Sequence, residues 1–188
     1  MITVTGAPYQ RGRQYGTQAR DRVHGSIAAY GQMFQHFAGW DWPRATTEAK
    51  RFLPSIRDFA PQYVEEMAGI AAGADVTLGD ILAVNVRTEV MYSARVRAAM
   101  ALPAPEECSV FASVAPDGPV IVGQNWDWAP FAYDTLVVLQ AIPDDGPAFV
   151  TVVEAGLLAK FGVNSEGLAV MTNALASTED QGEAAVPY

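Results

Sequence analysis

Cys108-Ser109-Val110-Phe111-Ala112-Ser113-Val114, then Ala115-Pro116-Asp117-Gly118-Pro119, then Val120-Ile121-Val122-Gly123-Gln124: this stretch decides how the chain is read. Two runs rich in β-branched residues flank a cluster of turn formers, which predicts a hairpin. Cys108 is the only cysteine. It opens the first strand directly behind a proline-rich, acidic connector, Leu102-Pro103-Ala104-Pro105-Glu106-Glu107. A thiol at the first position of a strand, behind such a connector, suits a nucleophile that becomes a new N-terminus when the connector is cut.

Downstream, further strands are expected at Thr135–Ile142, Ala148–Glu154, Gly156–Val163 and Gly167–Asn173. Asp144-Asp145-Gly146 and Asn164-Ser165-Glu166-Gly167 supply turns between them. Upstream of about residue 100 the chain reads as helical. Ile27, Tyr30, Phe34 and Phe37 recur at helical spacing and predict a helix over 17–38. A second is expected over 44–59, kinked or broken at Pro54. Pro61 can open a third ending near Gly73. Thr77-Leu78-Gly79-Asp80 resembles a capping box, with Asp in the usual Glu position, and opens a fourth through about Tyr92. Ala176 to Tyr188 is polar and aperiodic, and the predicted sheet lacks a layer over its second face. A truncated unit is therefore expected.

Half of the 188 residues are apolar and 10% are aromatic, enough for a sizeable core. A net charge of −9 without any basic run argues against a nucleic-acid surface. One cysteine cannot form an internal disulfide. No signal peptide is recognisable, and no apolar run reaches the roughly 20 residues that span a bilayer. A soluble cytoplasmic protein without metal, cofactor or membrane partner is the expectation.

On residue type alone Cys108 reads as a small buried hydrophobe. A catalytic reading needs a base. His24 and His36, the only histidines, fall in the first helix and read as solvated or capping groups. If the Glu107–Cys108 bond is cut, the freed α-amine, with a reference pKa of about 7.7–8.0, is a base on the nucleophile's own residue. Gly123-Gln124-Asn125-Trp126-Asp127-Trp128 follows the returning strand, so the hairpin can bring Asp127 toward Cys108 at one sheet end. Asn and Asp beside tryptophans also serve simply to close turns, and both readings stay open on the residues alone.

Cys108–Ala112 and Gly123–Trp128 together resemble the acyl-coenzyme A:6-aminopenicillanic acid acyltransferase (isopenicillin N acyltransferase-like) family, autoproteolytic cysteine enzymes of the N-terminal-nucleophile hydrolase superfamily. The likeness extends to Tyr9-Gln10-Arg11-Gly12 with Gly16, Glu65–Ala71, Asn85-Val86-Arg87-Thr88-Glu89, and the run from Phe161 to Leu175. The resemblance implies an α+β fold, the αββα four-layer sandwich, incomplete here. Residues 1–107 would be a helical pro-segment or small subunit, and 108–188 the first part of the β-rich catalytic subunit. It implies Cys108 as nucleophile, Glu107–Cys108 as the cleavage point, Asp127 as the catalytic aspartate holding nucleophile and amine, and Asn173 as an oxyanion donor. Asn85, Arg87 and Glu89 match a helical motif of structural character. Arg87 and Glu89 do not share a helix face, so each should pair with another element.

Two departures stand out. Glu107 occupies a position held by Gly in the best-known member, and the family's catalytic arginine has no counterpart in these 188 residues. The implied activity is acyl transfer or amide hydrolysis through an acyl-enzyme on Cys108. The donor is an acyl amide or thioester (acyl-coenzyme A as a substrate, not a cofactor), the acceptor an amine or water, and the pro-segment stays as partner; self-association is open. The alternatives are a plain amide hydrolase of the same superfamily and a non-catalytic fragment or degenerate copy.

Overall fold

The computed structural model describes residues 1–91, 108–116, 118–173 and 186–187. It opens with strand β1, Ile2–Gly6. Helices α1 (Pro8–Gln18), α2 (Arg20–Ala38) and α3 (Trp42–Ala49) follow, then a 3-10 turn, Lys50–Phe52. Helices α4 (Leu53–Phe59), α5 (Pro61–Ala74) and α6 (Leu78–Asn85) complete the first part, with helical backbone resuming at 87–91. Beyond Cys108 lie β2 (Cys108–Val114), β3 (Val120–Trp126), a short helix α7 (Ala132–Thr135), β4 (Leu136–Pro143), β5 (Phe149–Glu154), β6 (Phe161–Asn164) and β7 (Ala169–Val170). The protein is α+β.

Local signals place most boundaries. Pro8 and Pro61 sit at first-turn positions, where the missing N–H costs nothing. Gly39 ends α2 in the left-handed region at φ 65°, with its N–H on the Gln35 carbonyl and the Trp40 N–H on that of Phe34. The box at α6 is complete: Thr77 N–H donates to Asp80 Oδ2 at 2.8 Å, and Asp80 N–H to Thr77 Oγ1 at 3.2 Å. Asp80 also accepts from the Trp42 indole at 2.7 Å, which docks α3 on α6.

Five strands form one sheet in the order β1-β4-β5-β6-β7. β1 runs parallel to β4, with Ile2 opposite Leu139 and Val4 opposite Ala141; the other pairs are antiparallel. One face buries Val4, Val137, Leu139, Ala141, Thr151 and Val153. There α1 packs on β1 and β4, and α2 on β5. The other face leaves Val138, Ile142 and Val163 exposed. β2 and β3 form a separate hairpin whose Val110, Phe111, Val114, Val120, Ile121 and Val122 are also exposed.

Four glycines set the distance between α1 and α5. A Cβ on Gly12 would lie 2.1 Å from the Glu66 carbonyl oxygen and one on Gly16 2.2 Å from that of Ile70. Gly69 and Gly73 of α5 return the constraint against Tyr9 and Arg13 at 2.2 and 2.3 Å. The two backbones touch, as only glycine allows. This brings Arg11 onto Glu66 in a buried ion pair of 2.6 Å.

Five expectations need correction. The first part is not purely helical: β1 belongs to it and completes the sheet. The expected strand Gly156–Val163 begins only at Phe161, because Gly156 turns the chain at φ 103°. The Asn85 side chain then holds that turn, donating to the Gly156 carbonyl at 2.8 Å and accepting from Leu158 N–H at 3.1 Å. The expected strand Gly167–Asn173 shortens to Ala169–Val170. The helix expected over 17–38 is interrupted at Ala19, and the fourth at Val86; its expected end at Tyr92, the connector with Glu107, and most of the 176–188 tail lie outside the described residues.

Candidate functional site

The hairpin register builds the site. Cys108 stands opposite Trp126 and Ser109 opposite Asn125. Directly opposed side chains share a face about 4.5–5.5 Å apart at Cβ, so Cys108 and Trp126 are neighbours on one face, Ser109 and Asn125 on the other. Cys108 is half-buried, not the fully buried hydrophobe its residue type alone suggests.

On the second face, Asn125 Oδ1 accepts from Ser109 N–H at 3.0 Å and from the Ser109 hydroxyl. Its Nδ2 donates to Asp127 Oδ2 at 3.4 Å. Asp127 is thus tied to the residue following the thiol. On the first face, Gln124 clasps the chain near Asn173: its Nε2 donates to the Thr172 carbonyl at 2.7 Å, and its Oε1 accepts from Thr172 N–H at 3.1 Å. Asp127 is thus linked to the Cys108 end of the hairpin through Asn125 on one face, and the Thr172 backbone to Gln124, opposite Val110, on the other. Among the described residues no hydrogen bond joins the side chains of Cys108, Asp127 and Asn173.

The structure adds a polar cluster beneath that end. Glu154, fully buried at the end of β5, accepts from the Tyr30 hydroxyl and from Arg87 Nη2 at 3.3 Å. Arg87 Nε donates to the Tyr30 oxygen at 2.6 Å, and the Trp128 indole N–H to the same oxygen at 3.1 Å. Lys160 Nζ completes the cluster, 3.7 Å from Glu154 Oε2 and 3.6 Å above the Trp126 ring. Trp126 stacks on Trp128 at 6.2 Å and meets Phe161 edge-on at 6.1 Å. Arg87 thus pairs across to β5, as expected for a residue that cannot pair within its own helix.

Electrostatics follow from burial and pairing. Burial pushes the Glu154 carboxyl up, but Arg87, Lys160 and the Tyr30 hydroxyl outweigh it and hold it below the ordinary carboxylate range. Burial under the aromatic rings lowers the Lys160 ammonium to about 8, despite the opposing pull of Glu154. Burial raises the Tyr30 phenol. His24 Nε2 donates to the Ala74 carbonyl at 2.9 Å, at the end of α5, a capping role. His36 lies edge-on to Phe37.

Lys160 and Phe161 also border a cavity of about 560 Å³ between α4, α5 and the β5–β6 side of the sheet. Its walls are mainly apolar, with Phe59, Tyr63, Met67, Phe149 and Leu157, and the Arg11–Glu66 pair at one side. That size and character suit a small organic group. Among the described residues no cluster of His, Cys, Asp or Glu could hold a metal ion, and no single helix is long and apolar enough to cross a membrane.

Sequence reasoning missed Tyr30, Glu154 and Lys160 as site residues. A charged residue closing the apolar run Val150-Thr151-Val152-Val153-Glu154 was the available signal, since a carboxylate there needs partners. Nothing in its local pattern marked Lys160.

The family model of the acyl-coenzyme A:6-aminopenicillanic acid acyl-transferases matches residues 114–186. The 40 kDa form of acyl-coenzyme A:6-aminopenicillanic-acid-acyltransferase from Emericella nidulans is 29% identical over 178 residues. That similarity covers 93% of this chain and 46% of the relative, so the chain spans about half the length of the curated relative it matches. Both comparisons bear out the resemblance of this chain to the acyl-coenzyme A:6-aminopenicillanic acid acyltransferase family.

Proposed function

We propose that the chain is the nucleophile-bearing part of an acyltransferase or amide hydrolase that works through an acyl-enzyme on Cys108. The observation that carries this reading is the position of Cys108: first residue of β2, half-exposed, at the hairpin end to which Asp127 is linked through Asn125 and Ser109. The likeness to acyltransferases supports the reaction class.

In this reading Cys108 Sγ attacks the Glu107 carbonyl, the segment shifts from nitrogen to sulfur, and water releases residues 1–107. The mature thiol then attacks an acyl amide or thioester, with the new α-amine as base. Asp127 holds the nucleophile end through Asn125 and Ser109. Asn173 contributes one oxyanion donor, an effect worth about 3–4 kcal/mol in other acyl-transfer enzymes. The acyl group lies in the cavity bordered by Phe161 and Lys160, and an amine or water resolves the acyl-enzyme. Acyl-coenzyme A is one suitable donor. The exposed face of the sheet and the exposed hairpin suit the four-layer arrangement, in which a further sheet and helices cover them.

Intact mass spectrometry of the full-length gene product tests the reading. The wild type should yield two pieces meeting between 107 and 108, and Cys108→Ala a single uncut chain. Fragments meeting at that bond in Cys108→Ala would sink self-processing. Comparing product formed with an added amine against product formed with water alone then separates transfer from hydrolysis.

A further inference from the structure

The proposed mature mechanism uses the α-amine of Cys108 as base, yet in the uncut chain that nitrogen is an amide and is not basic. The first turnover needs another proton acceptor. The histidines do not supply it: His24 is engaged at the Ala74 carbonyl and His36 lies against Phe37, both on α2. Asp127 is bonded to Asn125, on the hairpin face away from Cys108.

Lys160 is differently placed. Trp126 is the cross-strand neighbour of Cys108, on the same face, and the Lys160 amine rests 3.6 Å above the centre of that ring. Its side chain is 14% exposed, so it is shielded yet open to solvent. The charged and titratable groups that face it are Glu154 from β5, Arg87 beyond α6 and Cys108 from β2, with Tyr30 of α2 behind Glu154. Resting on the reading that the Glu107–Cys108 bond is cut, we infer that Lys160 is the acid–base group of that first, self-cleaving turnover.

The neutral amine of Lys160 takes the proton of Cys108 Sγ, directly or through one water. The thiolate adds to the Glu107 carbonyl carbon. The carbon–nitrogen bond breaks as the Lys160 ammonium returns the proton to the departing nitrogen, giving a thioester and a free α-amine. Water hydrolyses the thioester to the Glu107 carboxylate and the thiol, and Lys160 is regenerated. With its ammonium lowered to about 8, roughly a tenth of Lys160 is neutral at pH 7 and half at pH 8. Cleavage once complete, the α-amine takes over.

The test is the rate at which intact mass reveals a new N-terminus at Cys108, from freshly purified uncut full-length protein, between pH 6 and 9. Wild-type cleavage should rise with pH and level off with a midpoint near 8. Lys160→Met should slow it by about 100-fold or more, the usual scale of general acid–base catalysis. Lys160→Arg should not restore it, because a guanidinium stays protonated. Wild-type speed in Lys160→Arg would assign the site a charge-only role, and wild-type speed in Lys160→Met would remove it altogether; either overturns the inference while leaving Cys108 as nucleophile. A flat wild-type pH profile overturns it without any variant. A wild-type chain that never cuts at 107–108 brings down self-processing and this inference together.

Discussion

The Trp128 indole donates to the Tyr30 hydroxyl at 3.1 Å, so a residue just beyond the β2–β3 hairpin is bonded to the middle of α2. The same tie between the parts before and after Cys108 recurs in Arg87–Glu154, in Asn85 at the Gly156 turn and in β1 beside β4.

If the chain is cut between 107 and 108, its two pieces should therefore stay one particle. Their joint is mainly apolar core and backbone pairing, which salt does not screen, whereas charge pairs lose their reach at 1 M, where the Debye length is about 3 Å. Size-exclusion chromatography in 1 M salt should return both pieces in one peak, parting only in denaturant. Separation in salt alone would contradict this.

Glu154→Gln should be less stable than wild type by about 3–5 kcal/mol at pH 7, because Arg87 stays buried without its counter-charge. The pH dependence has a definite sign. A carboxyl lowered on folding adds stability that is complete above its unfolded value, near 4.3, and disappears as the pH falls through its folded value. The difference between variant and wild type should thus be full at pH 6–8 and close below about pH 4. Urea midpoints across pH 3–8 measure it, and a gap that did not shrink in acid would refute the pairing.

Glycine substitutions should split by position. Gly16→Ala drives a methyl into the Ile70 carbonyl, 2.2 Å away, and should cost about 3 kcal/mol, the upper part of the usual overpacking range. Gly31→Ala, inside α2 with Trp42 at an ordinary 3.8 Å, should instead add about 0.5–1 kcal/mol. Denaturant unfolding of the two variants side by side decides it.

Gln124→Leu removes both bonds to the Thr172 backbone and should lose about 1–3 kcal/mol. The Thr172 amide should then exchange with deuterium faster while the β4–β5 amides keep their protection. Unchanged exchange at Thr172 would mean that the clasp does not hold this segment.

Much of the fold was legible because local chemistry decides it. The Ala115–Pro119 turn cluster gave the hairpin, Thr77 and Asp80 gave the start of α6, and Pro61 gave that of α5. β1 was not, although Ile2-Thr3-Val4-Thr5 is β-branched throughout and alternates apolar with polar: five residues carry little pattern, and their partner lies far along the chain. The run 156–160 reads as strand from its apolar residues, but the left-handed turn at Gly156 and the distant Asn85 side chain override that pattern. Cys108 and Asp127 were visible as residue types in a telling order. Lys160 was not, because its place is set by Trp126 and Glu154, contacts that exist only once the hairpin meets β5 and β6.

The pairing of β1 with β4 has a consequence for synthesis. Thr3 and Gln140, bonded across that pair, are 137 positions apart. At about 5–20 residues per second, the strand made first waits roughly 7–30 s for its neighbour to be translated. The N-terminal helices can gather in that interval, but the sheet cannot close, and Lys160 is translated later still. The nascent chain thus carries its own delay: Cys108 leaves the ribosome before Trp126 and Lys160, and the cleavage proposed for it would have to wait until translation has passed them.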